Sequence, residues 1–177
     1  ADPSAIADAD GLGSFSYQWQ ADGTPITGAT ASTLVLTQDQ VGTAITVVAS
    51  YTDGFGESES LRSAATPAVA NINDAPTLDS AIPDQNATQD AAFNFAVPAG
   101  TFIDLDENDT LTLSATLADG SDLPAWLTFT PGTGVFSGTP LNGDVGWITV
   151  KVTATDSANA SVADEFIVLT ANSNDLP

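Results

Sequence analysis

The sequence predicts an all-β chain, built as two β-sandwich domains joined end to end. Three observations carry that expectation. Apolar and polar residues alternate over short stretches such as 92–97 and 148–154, and no stretch repeats at helical spacing. Gly and Asp-Gly turns separate the stretches. Finally, Asn71-Ile72-Asn73-Asp74-Ala75-Pro76 returns 101 residues later as Asn172-Ser173-Asn174-Asp175-Leu176-Pro177, identical at four of six positions. A period of that size is one sandwich domain. Proline bars the helical region for the residue before it, so the hexapeptide should run extended as a linker. The expected domains are residues 1–70 and residues 71–177, the latter including the linker 71–76 and the start of a next linker at 172–177. The chain then reads as a piece cut from a tandem array.

In the first domain, residues 14–20 alternate with Phe15, Tyr17 and Trp19 on one side. Asp22-Gly23 turns the chain and residues 25–28 make a short return. Residues 33–37 should form a strand with Leu34 and Leu36 inward. Residues 44–52 place Ile45, Val47 and Ala49 on one face, and a last strand lies within 57–69. Only about five strands are legible. A full sandwich of this kind needs about seven, so two strands before Phe15 are expected either upstream or from a neighbouring molecule. In the second domain, Phe93, Phe95 and Val97 alternate inward, as do Leu111, Leu113, Ala115 and Leu117. Val150 and Val152 follow the same rule within 148–154, and residues 164–170 supply the final strand.

Composition narrows the function. Arg62 and Lys151 are the only bases against 23 acidic residues, a net charge of −21. Nucleic acid needs a cationic face to displace its counterions, so it is excluded as a partner, and an anionic membrane surface would repel the chain. No apolar run approaches the length of a membrane span, so no membrane insertion is expected. With no Cys there is no thiolate chemistry, and with no His there is no usual general base and no Ser-His-Asp triad. No enzyme is expected. Paired Asp residues could in principle hydrolyse glycosides, but that needs carboxylates facing each other across a cleft. Trp126 and Trp147 could stack on a sugar; packing in the core suits both better, since each adjoins apolar strand residues.

Residues 123–140, Leu-Pro-Ala-Trp-Leu-Thr-Phe-Thr-Pro-Gly-Thr-Gly-Val-Phe-Ser-Gly-Thr-Pro, resemble the signature of dystroglycan-type cadherin-like Ig domains, common in bacterial surface and secreted repeat proteins. The resemblance runs from Asn73 to about Ala171 and includes Ile82-Pro83-Asp84-Gln85. Asp8-Ala9-Asp10-Gly11-Leu12-Gly13, Tyr17-Gln18-Trp19, Gly28-Ala29-Thr30 and Tyr51-Thr52-Asp53-Gly54 are similar to an Ig-like repeat found beside such domains in large adhesins that carry repeats-in-toxin sequences. Residues 34–45 look like the corner before strand F of an Ig domain, with Ile45 where many carry Tyr. The resemblance implies a secreted or cell-surface array of bacterial origin, structural or adhesive, stabilised by calcium. Its partners would be neighbouring domains of the same chain and a glycan or cell-surface ligand.

Nineteen of the acids are Asp, a short side chain suited to turns and to loops that hold hard cations. Asp104-Leu105-Asp106-Glu107-Asn108-Asp109 follows the Phe102-Ile103 strand, and Asp156 closes the strand ending at Thr155. If both strand ends share a pole with the linker, several carboxylates converge there and would repel or take up protons without a cation. Ca²⁺ accepts six to eight oxygens and suits such a set better than Mg²⁺. By the cadherin resemblance the expected calcium ligands are Asn73, Asp74, Asp104, Asp106 and Asp156. Asp8, Asp10 and Asp53 echo the pattern in the first domain. Asp109 and Asp90 are weaker candidates, Glu57 and Glu59 stand out only by acidity, and Asp22, Asp39, Asp119 and Asp144 read as turn formers.

Overall fold

A computed structural model describes residues 1–4, 6–9, 11–107 and 109–173. The chain is all-β, with two short 3₁₀ turns at Gln38–Gln40 and Asn142–Asp144 as its helical elements among the described residues. It divides into two compact units, Ala1–Ile72 and Asn73–Pro177.

The first unit is one antiparallel sheet in the order β2-β1-β3-β4, from β1 (Ser16–Ala21), β2 (Thr24–Pro25), β3 (Ile45–Thr52) and β4 (Ser58–Arg62). Asp22 and Gly23 both take positive φ, 46° and 82°, which is what a two-residue hairpin between β1 and β2 demands. Register puts Tyr17 opposite Ala49 and Trp19 opposite Val47, so the alternating apolar residues share a face. Ile45, Ala49 and Tyr51 are the buried hydrophobics among the described residues of this unit, and a groove of about 440 Å³ remains between Tyr17, Trp19 and Leu61 of that face and the segment at Ala1–Pro3 and Ile6. On the opposite face Arg62 donates to Gln20. Residues 33–37 are not a strand. Thr37 instead leads into the 3₁₀ turn, its N–H bonded to the Gln40 side chain at 2.9 Å, and Leu36 is left exposed. Isolated bridges Val41–Val69 and Ala44–Ala68 take the place of a regular pairing at that end.

The second unit packs two sheets face to face. One is β10-β11-β7, from β7 (Phe93–Ala96), β10 (Leu127–Thr130) and β11 (Val135–Gly138). The other is β6-β13-β12-β9, from β6 (Gln85–Thr88), β9 (Thr112–Leu117), β12 (Gly146–Thr155) and β13 (Ser161–Ala171). β13 is antiparallel to β12 and parallel to β6. A small pair, β5 (Thr77–Leu78) with β8 (Phe102–Ile103), closes one side. Between the sheets lie Phe136, Phe166, Val150, Val152, Val168, Leu127 and Phe93, with Trp126 set edge-on to Phe93 at 6.0 Å. Trp126 therefore packs as expected. Trp147 does not: it is 70% exposed, because β12 turns Ile148, Val150 and Val152 inward and leaves odd-numbered positions outside. No helix among the described residues is long and apolar enough to cross a membrane.

Candidate metal centre

The loop after β8 and the turn after β12 bring their acids to one pole of the second unit. Carboxylate oxygens of Asp104, Asp109 and Asp156 lie within 4.8 Å of one another. At that spacing the ionised carboxylates repel one another. The positions are held by backbone donors. Asp104 Oδ1 accepts the Asp106 N–H at 2.9 Å, an Asx turn that folds the loop back. Asp109 accepts the N–H and hydroxyl of Ser157, at 3.3 and 3.1 Å, which ties the loop to the residue following Asp156. Asp156 Oδ1 accepts Ala160 N–H at 2.7 Å and is 6% exposed. Its Oδ2 accepts the side-chain amide of Asn73 at 2.9 Å, and this bond, reinforced by the backbone donors, holds its pKa below the ordinary carboxylate value despite burial.

Asp106, 7% exposed, accepts the Asp74 N–H at 2.9 Å. The expected ligands thus divide. Asp104 and Asp156 meet in a carboxylate group whose third member is Asp109, while Asp106 and Asn73 fasten the segment that leads into the unit, and Asp74 enters through its backbone. Asp109 is a weaker candidate in sequence; the turn at Asp106, with the Asp109 N–H bonded to the Asp106 carbonyl at 3.1 Å, brings it back to Asp104.

The first unit carries a second group: carboxylates of Asp8, Asp53 and Glu59, again within 4.8 Å. Asp53 Oδ1 accepts the N–H groups of Phe55 and Glu57 in the hairpin after β3. Glu59 stands opposite Tyr51 in the β3–β4 register. The Tyr51 hydroxyl donates to Glu59 at 2.6 Å and lies 3.2 Å from Asp8 Oδ2; the bond to Glu59 above all, then burial and Asp8, raises the phenol's pKa far above normal. Asp10, expected here, lies outside the described residues. Glu59 was visible in sequence only as an acid; pairing it with Tyr51 required the register. Asp119 and Asp144 hold turns, with Asp119 Oδ1 accepting the Ser121 N–H at 2.9 Å, while Asp22, in the β1–β2 turn, accepts the Ala44 N–H just before β3.

The second unit's group offers only oxygen donors, the preference of Ca²⁺ rather than of softer ions. Asp104 Oδ2 is buried with no hydrogen-bond partner among the described residues. A buried carboxylate oxygen left unmatched is costly, and a cation beside it would satisfy both that atom and the mutual repulsion. The residues fit such an ion.

No curated protein sequence matches the chain. Among solved structures, mouse Cadherin-23 EC22-24 is similar over 97% of this chain and 58% of its own length, with a TM-score of 0.56 at 17% identity. Protocadherin gammaB7 EC3-6 is similar over 80% of this chain and 35% of its own, TM-score 0.56, 18% identity. An endo-fucoidan hydrolase of glycoside hydrolase family 107 is similar over 78% of this chain but 20% of its own, at 22% identity and a TM-score of 0.48. The chain spans less than two thirds of each, and the two cadherin likenesses, at identities this low, speak for the fold alone. The sandwich of the second unit has its counterpart in sequence as well: residues 75–171, more than half of the chain, match the family described as "Putative Ig domain", and to that family the chain belongs.

Proposed function

We propose that the chain is a calcium-stabilised extracellular spacer module of a bacterial adhesin or surface protein, stiffening a tandem array of β-sandwiches. The observation that carries this reading is the Asp104–Asp109–Asp156 group with its buried, unpartnered Asp104 oxygen. Bound there, Ca²⁺ supplies the positive charge that lets three carboxylates coexist. The protein's own part is to aim them: Ser157 holds Asp109, Ala160 holds Asp156, and the Asp106 N–H holds Asp104. Asn73 and Asp74 hydrogen-bond to Asp156 and Asp106, so ordering the acids also orders the first residues of the unit. Asp8, Asp53 and Glu59 would form a second, separate site in the first unit. A further neighbour of the same fold is described as the extracellular cadherin domains 1-5 of Protocadherin Gamma B2, which agrees with an extracellular setting.

Affinity should be that of an extracellular module, about 10⁻⁴–10⁻³ M. At an ion concentration 100-fold above Kd, binding stabilises the fold by about 2.7 kcal/mol, on the order of 10 °C in Tm for a domain of this size. Titration calorimetry with Ca²⁺ should show binding at both groups, and Asp104→Asn with Asp109→Asn should abolish the second unit's share while leaving that of Asp8, Asp53 and Glu59. An unchanged melting temperature in calcium and in chelator would overturn the reading.

A further inference from the structure

The outward face of the β6-β13-β12-β9 sheet is polar over most of its length, as a solvated sheet face should be. Lys151 stands opposite Glu165, with Thr116 on its other side. One end breaks the rule. Trp147 is 70% exposed, Leu169 directly opposite it is 47% exposed, and Ile167, opposite Thr149, is 39% exposed. Side chains opposite one another on antiparallel strands have Cβ atoms about 5 Å apart, so indole, leucine and isoleucine form one apolar surface. Leu141 and Val145, in the loop entering β12, are exposed as well. Single exposed aliphatics are ordinary. A tryptophan backed by branched aliphatics on a rigid strand pair is the composition of an interface anchor.

Charge selects the occupant. Fifteen of the 23 acidic residues fall in residues 73–177, with Lys151 their only base. Asp84 reaches the patch itself, accepting the Ile167 N–H at 2.7 Å, and Asp144 accepts that of Leu141 at 2.8 Å. An anionic partner, or a second copy carrying its own −21, meets repulsion. A neutral polysaccharide would bring hydroxyls over the apolar side chains of Leu169 and Ile167 and offers no charge to the carboxylates of Asp84 and Asp144. A basic polypeptide meets both conditions: an apolar side chain seats on the indole, while lysine or arginine reaches the carboxylates or the ring face.

We propose that the Trp147–Leu169–Ile167 patch docks a basic protein segment, an apolar anchor flanked by cationic side chains. The surface is distinct from the acidic pole and does not depend on calcium there. The test is fluorescence anisotropy in chelator, using a labelled peptide of alternating lysine and leucine, its glutamate–leucine counterpart, and cellohexaose as competitor. The lysine peptide should bind, and the glutamate peptide should not. Binding should weaken at least tenfold in Trp147→Ala and again in Leu169→Lys, both exposed positions whose change leaves the melting temperature in place. Four results would overturn the proposal: no binding of the lysine peptide, equal binding to Trp147→Ala (bulk charge attraction alone), displacement by cellohexaose (a glycan site), or a dimer in sedimentation equilibrium that Trp147→Ala dissociates (self-association).

Discussion

At Gly138 the strand β11 runs against the backbone of Trp126 so closely that a Cβ would stand 1.7 Å from that carbonyl oxygen. No side chain fits. Gly138→Ala must push β11 from β10 and open the core at Leu127 and Phe136, so the second unit should lose about 3 kcal/mol or more, measured by urea unfolding. Gly13 meets the Thr52 carbonyl in the same way, with a Cβ at 2.2 Å. Asp156 shows what one hydrogen bond does to a charge. The Asn73 amide holds its folded pKa below the unfolded value, about 3.9. The ionised carboxylate therefore contributes stability above pH ~4 that is lost as pH falls through the folded pKa. In chelator, Asn73→Ala should move the Asp156 titration to higher pH, followed by carboxyl carbon NMR, and the acid transition of the unit should move up with it. An unmoved titration would mean that the amide contributes nothing.

Among the elements, the strands with clean alternation form where their sequences say. β7, β9, β12 and β13 each turn one row of side chains inward, and hydrophobic period alone locates them. β10 alternates as well, in Leu127-Thr128-Phe129-Thr130, whereas β11 (Val135–Gly138) does not; Phe129 and Phe136 tilt against each other at 4.6 Å. Residues 33–37 alternate yet form no strand, since the 3₁₀ turn at Gln38–Gln40 takes the chain away from the sheet before Leu36 can be covered. The segment at Asn73 and Asp74 is an element only by virtue of its acceptors. Asp106→Ala removes the partner of the Asp74 N–H, a bond to a charged group worth about 1.5–3 kcal/mol. Amide exchange at Asp74 should then quicken by more than tenfold, while exchange within β12 stays unchanged.

Across the whole molecule, a charge of −21 makes two effects of added ions separable. Any salt screens self-repulsion, and that effect is nearly complete once the Debye length falls to a few ångströms. Calcium held at the carboxylate groups should raise Tm further in 0.5 M KCl, whereas magnesium at equal strength should add little. Equal effects of the two ions would reduce calcium to a screening salt. The amino-acid sequence by itself determined the all-β class, because period-two alternation and turn residues are local. It also determined that this chemistry rests on Asp rather than on His or Cys, because composition needs no coordinates. Only the tertiary structure decided which acids meet. Asp109 joins Asp104 and Asp156 while Asp106 turns to the chain entering the unit, since convergence depends on how a loop folds back on a distant strand end. It likewise put Trp147 outside the core, where one step of strand register exchanges the buried row for the exposed one.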